Sequence, residues 1–180
     1  MRDVYKLWTS SLTSTQIHAI TTAALTQSPQ AATIFASNDA QPTVRSCTIR
    51  WLSTQWIKDL VGTYVRQAND EAFEFAINHD CELQFIEYRA ADDDHYDWHH
   101  DVDWNGQTAK DRKLSVTIQL SDSAAYEGGD FEFEDIQTNA DFRSSGTVLV
   151  FPSYLRHRIR PVTSGTRYAL VAWFFGPRWR

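Results

Sequence analysis

His95-Tyr96-Asp97-Trp98-His99-His100-Asp101-Val102-Asp103 is the stretch whose reading decides both the fold and the chemistry of this chain. In an extended strand, side chains two apart project to the same face. His99 and Asp101 therefore present one imidazole and one carboxylate together. Phe151-Pro152-Ser153-Tyr154-Leu155-Arg156-His157 places another imidazole just past an apolar run. Ten residues beyond it, Arg167 opens the apolar stretch 167–173. A guanidinium there has the fork geometry that grips a carboxylate through two parallel hydrogen bonds.

Two histidines and one carboxylate on one side of a metal leave the other side open, the donor set of non-haem Fe(II) centres. The same three donors also fit zinc. His95-Tyr96-Asp97 repeats the His-x-Asp pattern with the same parity, so the local sequence by itself leaves two starting points. His100 lies on the opposite strand face from Asp101.

Around this stretch the pattern is that of short strands. From Phe73 onward they fall at 73–77, 82–88, 96–101, 114–120, 131–136, 147–151, 157–162 and 168–175, divided by Gly, Asn, Asp and Ser turns. Eight strands at this spacing predict a sandwich or jelly roll. In 114–120 the apolar set is Leu114, Val116, Ile118 and Leu120, while Ser115, Thr117 and Gln119 face the other way and suit a polar lumen. Arg167 and Trp173 share a parity and so a face.

Before residue 73 the chain reads mainly as helical. Thr13 with Gln16 makes a capping box that opens a helix to about residue 27, with Ile17, Ile20, Ala24 and Leu25 as its apolar stripe. Residues 28–42, rich in Ser, Pro, Asn and Asp, predict a loop, and 44–52 a strand. Ser53-Thr54 then caps a second helix with the face Ile57, Val61, Tyr64 and Ala68.

The chain has 180 residues, 42% of them hydrophobic and 13% aromatic, which excludes a disordered chain and predicts one domain over 1–180, with a helical part to about 72 and a β core over about 73–177. No stretch approaches the ~20 apolar residues of a membrane span, and residues 1–12 lack the apolar core of a secretory signal. Cys47 and Cys81 are too few for a disulfide framework and predict a cytoplasmic, reducing setting. The formal charge of −6 argues against a nucleic-acid partner. Asp92-Asp93-Asp94, next to the His-x-Asp stretch, predicts an acidic mouth able to draw in a cationic substrate. Arg156, Arg158 and Arg160 alternate with His157 and are expected to face outward.

Over about half its length, 83–175, the chain resembles the 2-oxoglutarate- and Fe(II)-dependent dioxygenases, in their prolyl 4-hydroxylase-like branch. The resemblance rests on Tyr88, on Tyr96-Asp97-Trp98-His99-His100-Asp101, on Arg112-Lys113-Leu114-Ser115, and on Tyr126-Glu127-Gly128-Gly129-Asp130. It continues through Gly146-Thr147-Val148-Leu149-Val150-Phe151-Pro152-Ser153, His157, and Pro161-Val162-Thr163-Ser164-Gly165-Thr166-Arg167-Tyr168.

This resemblance implies a mainly β, cupin-like double-stranded β-helix, with the N-terminal helices packed outside its major sheet. It implies Fe(II) on His99, Asp101 and His157, since relatives carry a Tyr three residues before the first ligand, as Tyr96 precedes His99. It implies 2-oxoglutarate as co-substrate with its distal carboxylate on Arg167, contacts from Tyr88, Tyr96, Trp173 and Gln119, and O2 as oxidant. Many relatives have Tyr where Gln119 stands. Ascorbate is a further expected cofactor. The implied reaction hydroxylates a peptide or protein residue, proline first, and releases succinate and CO2. Asp101 favours hydroxylation over halogenation, which uses a small residue at that place. An oxygenase of a free amino acid or small metabolite, or a binding module of the same fold without turnover, are the alternatives.

Overall fold

A computed structural model describes residues 3–33, 41–78 and 80–180. In chain order it forms β1 (Lys6–Trp8), α1 (Ser14–Leu25), β2 (Gln30–Ala31), β3 (Arg45–Ser46), β4 (Thr48–Leu52) and α2 (Gln55–Ala68). There follow β5 (Cys81–Arg89), β6 (His95–His99), β7 (Lys110–Gln119), β8 (Tyr126–Gly128), β9 (Phe131–Phe133), β10 (Val148–Pro152), β11 (His157–Ile159) and β12 (Val162–Pro177).

All strand pairs are antiparallel. The larger sheet runs β1-β10-β7-β12-β5-β4-β2, with β8 against the start of β12, and the smaller runs β3-β6-β11-β9. The two sheets are the walls of the expected double-stranded β-helix. Strand alternation divides the core into two layers. Leu83, Phe85, Leu114, Val116, Ile118, Val148, Val150, Leu170, Ala172 and Phe174 leave the larger sheet on one face and pack with Ile20, Ala24, Ile57, Val61, Val65 and Ala68 of the helices. Ile86, Tyr88, Leu149 and Phe151 leave it on the other and meet Tyr96, Phe133 and Ile159 of the smaller sheet. The helices thus cover the outside of the larger sheet, and the lumen lies between the sheets.

Helix α1 starts as the sequence predicts. Thr13 Oγ1 accepts from the Gln16 N–H and Gln16 Oε1 accepts from the Thr13 N–H, a reciprocal cap worth about 1 kcal/mol. Leu25 does not join the stripe; at 48% exposure it lies beyond the sheet that Ile20 and Ala24 cover. The part of the predicted 28–42 loop over 34–40 lies outside the described residues.

Two strand expectations are corrected. The 44–52 strand divides at Cys47, so that β3 pairs with β6 in the smaller sheet and β4 with β5 in the larger. Residues 73–77 form no strand. A π-helical turn, Asn69–Phe73, extends α2, and Glu74 closes it in a left-handed conformation at φ 53°. The Asn69 side chain then accepts from the Phe75 N–H at 2.9 Å and donates to its carbonyl at 3.0 Å, taking groups that a neighbouring strand would use. The alternating Phe73, Phe75 and Ile77 still pack on the helix-side core.

Candidate metal centre

His99 ends β6 and His157 begins β11, and the two are direct partners in the antiparallel ladder. That register sets side chains distant in sequence opposite one another, with ring centroids 4.2 Å apart. Asp101 lies two residues past the end of β6, where no ladder supports it. Its N–H donates instead to the Ser153 carbonyl at 2.9 Å. From there Oδ1 reaches to 3.8 Å from His99 Nε2, and Oδ2 to 3.8 Å from His157 Nε2. One donor atom from each of the three residues lies within 4.8 Å of the others, and among the described residues no other His, Cys, Asp and Glu group converges in this way.

Both imidazoles are fixed by their far nitrogens. His99 Nδ1 is 2.7 Å from the Asp97 carbonyl and His157 Nδ1 is 2.9 Å from that of Leu155. A carbonyl can only accept, so each Nδ1 carries the proton and each Nε2 lone pair faces the cluster, the arrangement that orients metal-binding histidines. Tyr96 stacks on His99 at 3.4 Å, and Phe131 and Phe151 pack against His157.

Burial, and then the adjoining His157, holds the His99 pKa well below the ordinary histidine value, so this ring is neutral. Burial alone would raise the pKa of Asp101. The surrounding His157, His99 and Arg112, with the Ser115 hydroxyl, outweigh it and bring the carboxyl down to about 2. An ionised carboxylate beside a neutral imidazole is the protonation state a divalent metal binds without displacing protons. The donor set fits Fe(II).

The other histidines of the stretch are committed elsewhere. His95 has both ring nitrogens against carbonyls, Nδ1 at 2.7 Å from Asp93 and Nε2 at 3.3 Å from Thr43. His100 Nε2 accepts from Trp104 Nε1 at 3.2 Å. Of the two overlapping His-x-Asp patterns, the one that converges with His157 is His99-Asp101.

Arg167 stands deeper in the lumen, 3% exposed, with its guanidinium carbon 5.5 Å from the centre of the Tyr88 ring. Its Nε has no hydrogen-bond partner, and no ion pair joins it to a described residue. A buried guanidinium left so is costly unless an anion completes it, which suits the distal carboxylate of 2-oxoglutarate. The small cavity beside it is lined by Thr117, Gln119 and Thr147, and shares Thr117 and Phe131 with the cavity in which His99, Asp101 and His157 sit. Gln119 donates through Nε2 to the Ser121 carbonyl at 3.2 Å, and its Oε1 is unpartnered. Tyr88 is fully buried, and that burial pushes its hydroxyl far above the usual tyrosine range. Trp173 lines the metal cavity on the same face of β12 as Arg167, with the Arg112 guanidinium 3.7 Å over its ring.

The acidic mouth does not form as expected. Asp94 is 2% exposed and accepts from Ser46 Oγ at 2.6 Å and from the Arg89 N–H at 2.9 Å, which pins the turn between β5 and β6. Asp92 pairs with Arg89 at 2.8 Å. A buried, hydrogen-bonded carboxylate and a paired one exert little field on an approaching substrate, which leaves Asp93 of the run, with Asp97 and Asp103 nearby in sequence. Arg156, Arg158 and Arg160 do face outward, paired with Glu134 and Glu132.

Arg45 is a site residue that sequence reasoning missed. It lines the metal cavity, 6% exposed, 4.6 Å over the Tyr96 ring, and donates to Gln84 Oε1 at 2.7 Å. It begins a two-residue strand, too short for any periodic signal. Alternation places Ser115 on the lumen face, but its contact with Asp101, and that of Ser115 with Ser153, come only from the fold.

Comparison with known proteins agrees with this geometry. A PKHD-type hydroxylase of Synechococcus sp. (strain CC9902) is 36% identical over 81 residues, 44% of this chain and 36% of that protein. One from Idiomarina loihiensis is 38% identical over 61 residues, 33% of this chain and 28% of that protein. The match thus spans about a third of the length of these curated relatives. A viral collagen prolyl hydroxylase from Paramecium Bursaria Chlorella virus-1 superposes with a TM-score of 0.73 at 17% identity, covering 97% of each chain. A prolyl hydroxylase from Trichoplax adhaerens, solved with a peptide fragment of a hypoxia inducible factor oxygen degradation domain, gives 0.77 at 17% identity over 96% of this chain and 84% of that one. At such identity these structures share the double-stranded β-helix fold with this chain. The family model for the 2OG-Fe(II) oxygenase superfamily matches residues 83–175, more than half of the sequence, and the chain belongs to that superfamily.

Proposed function

We propose that this chain is an Fe(II)- and 2-oxoglutarate-dependent hydroxylase of a peptide or protein residue, proline first, working as one domain over residues 1–180. The observation that carries the reading is the pairing, in one lumen, of a convergent His99, Asp101 and His157 with a buried Arg167 that no carboxylate of a described residue pairs. The relatives named as hydroxylases and the prolyl hydroxylase folds support the same direction.

His99, Asp101 and His157 would hold the iron, and Arg167 the distal carboxylate of the co-substrate, with Tyr88, Tyr96 and Gln119 around it. When bound, iron with 2-oxoglutarate and O2 supplies the oxidising chemistry that yields succinate, CO2 and a hydroxylated C–H carbon. The protein's part is to orient and to exclude water. Tyr96, Phe131 and Phe151 wall the imidazoles, and Trp173 closes the side toward β12. Ascorbate belongs to the reading as a reductant that keeps iron ferrous. Free, buried Cys47 and Cys81 support a reducing, cytoplasmic setting. A preference for cationic flanking residues now rests on Asp93 and the neighbouring Asp97 and Asp103.

Anaerobically loaded protein, given 2-oxoglutarate and O2 with and without ascorbate, tests this by succinate release over a panel of proline-containing peptides, basic and neutral, and free amino acids. Release stimulated by a proline peptide, with a mass gain of one oxygen on it, is the expected result. Stimulation by a free amino acid alone would replace the peptide by a small substrate, and no release under any condition would leave a binding module.

A further inference from the structure

Asp101 presents two carboxylate oxygens in unlike surroundings. Ser115 Oγ donates to Oδ2 at 2.6 Å, and Ser115 Oγ lies 2.9 Å from Ser153 Oγ. Ser115 is 2% exposed and Ser153 0%. A hydroxyl has one proton. Ser115 spends its proton on Asp101, so the bond between the serines must be donated by Ser153. The hydroxyls form a one-way chain, Ser153 to Ser115 to Asp101, and Oδ1 is left without a hydrogen-bond donor among the described residues. Ser153 acts twice, since its carbonyl also accepts the Asp101 N–H at 2.9 Å, while its own N–H donates to the Lys113 carbonyl at 3.0 Å.

We propose that Ser115 and Ser153 are positioning residues for the metal-binding carboxylate, a two-hydroxyl chain that ties up Oδ2 of Asp101 and presents Oδ1 to the metal. The proposal rests on reading His99, Asp101 and His157 as the ligands. The fold makes such a device necessary. Both imidazoles are held by strand register and by carbonyls at their Nδ1 atoms, whereas Asp101 lies beyond β6 and its side chain has no ladder to orient it. One serine alone would leave a hydroxyl free to rotate. The second occupies a lone pair of the first and turns its proton onto the carboxylate, a cooperative arrangement in a dry site.

Co(II), which occupies such sites without turnover, is the probe: affinity by anaerobic titration and the ligand-field absorption of the bound ion. Loss of a group that orients a ligand lowers metal affinity by about 10–100-fold. Ser115→Ala is expected to fall in that range with a changed ligand-field spectrum, and Ser115→Thr to retain parental affinity and spectrum. Ser153→Ala is expected to weaken binding by a smaller factor, and to have no further effect when Ser115 is already Ala, because its hydroxyl acts through that of Ser115. Thermal unfolding of the metal-free variants shows whether each is folded; if Ser115→Ala is not, Ser153→Ala and Ser115→Thr carry the test. Parental affinity and spectrum in Ser115→Ala, or independent additive losses in the two alanine variants, would overturn the chain. Asp101→Ala separates this from failure of the ligand reading: if it too binds Co(II) like the parent, the ligand set is wrong, whereas if it loses the metal while Ser115→Ala does not, only the serine chain is wrong.

Discussion

The guanidinium of Arg167 lies over the ring of Tyr88, 5.5 Å from its centre, and the two are directly paired across β12 and β5. The aromatic face offers a cation some compensation, about 0.5–2 kcal/mol, but it accepts no hydrogen bond in the guanidinium plane. The fork of Arg167 therefore remains open toward the cavity it shares with Thr117 and Gln119.

Removing that fork should separate co-substrate binding from metal binding. In Arg167→Leu, the distal carboxylate of 2-oxoglutarate would be buried without a partner, a cost on the order of 2–5 kcal/mol. The apparent KM for 2-oxoglutarate is expected to rise at least thirtyfold, on the order of that lower bound, with Fe(II) affinity little changed. An unaltered KM would remove Arg167 from the site.

The histidines should divide in the same clear manner. His99→Ala, Asp101→Ala and His157→Ala are each expected to abolish tight Fe(II) binding and turnover. His95→Ala and His100→Ala should keep measurable activity, because both ring nitrogens of His95 face the Asp93 and Thr43 carbonyls, His100 Nε2 accepts from Trp104, and neither ring converges with the cluster. Metal titration decides it, and a His95→Ala variant that loses iron while His99→Ala binds normally contradicts the assignment.

The site was legible where chemistry and period-two alternation coincide. His99, His157 and Arg167 stand at a strand end or on a strand, and the lumen face of β7 follows directly from its alternating Ser115, Thr117 and Gln119. Asp101 keeps the face that alternation predicts although β6 ends at His99 and the Ser153 carbonyl holds it. Alternation misled at 73–77, where Phe73, Phe75 and Ile77 do face the core but the Asn69 side chain satisfies the backbone. It gave no warning that 44–52 changes sheets at Cys47, since residues on either side continue to alternate. Arg45, and the contacts that Ser115 and Ser153 make at Asp101, were silent because they join strands far apart in the chain. The acidic run 92–94 was overread: charge is visible in a sequence, but whether a carboxylate is buried and paired is decided by the fold.

That last point can be measured. Asp94→Ala removes the acceptor of the Ser46 hydroxyl and of the Arg89 N–H in a site 2% exposed. Both hydrogen bonds are part-buried, and losing two such bonds costs about 1–2 kcal/mol, which urea unfolding should register. Asp93→Asn, on an exposed residue, should change stability by less than about 0.5 kcal/mol. Equal midpoints for Asp94→Ala and the parent would mean that the turn does not depend on this carboxylate, and would return Asp94 to the surface.

Acid should destabilise the metal-free protein through two groups of the candidate centre. His99 has a folded-state pKa well below its unfolded value, so as pH falls through about 6.5 the unfolded chain takes up a proton that the folded one refuses. Stability is therefore present above that pH and declines below it. Asp101, at about 2 in the folded protein against about 3.9 unfolded, contributes stability that is full above about pH 4 and is lost as pH falls toward 2, on the order of 2 kcal/mol in all. Both effects have the same sign, and they occupy separate windows. The urea midpoint of the metal-free parent is thus expected to fall between pH 7 and 5, and further below pH 4. His99→Gln should flatten the upper part of this decline and reduce the lower part without abolishing it, since His157, Arg112 and Ser115 still hold the Asp101 carboxyl down, whereas Asp101→Asn should abolish the lower part and keep the upper. A His99→Gln variant whose midpoint follows the parent's throughout pH 7 to 5 would show that this imidazole is protonated as readily in the folded protein as in the unfolded chain, and so is not held neutral for a metal.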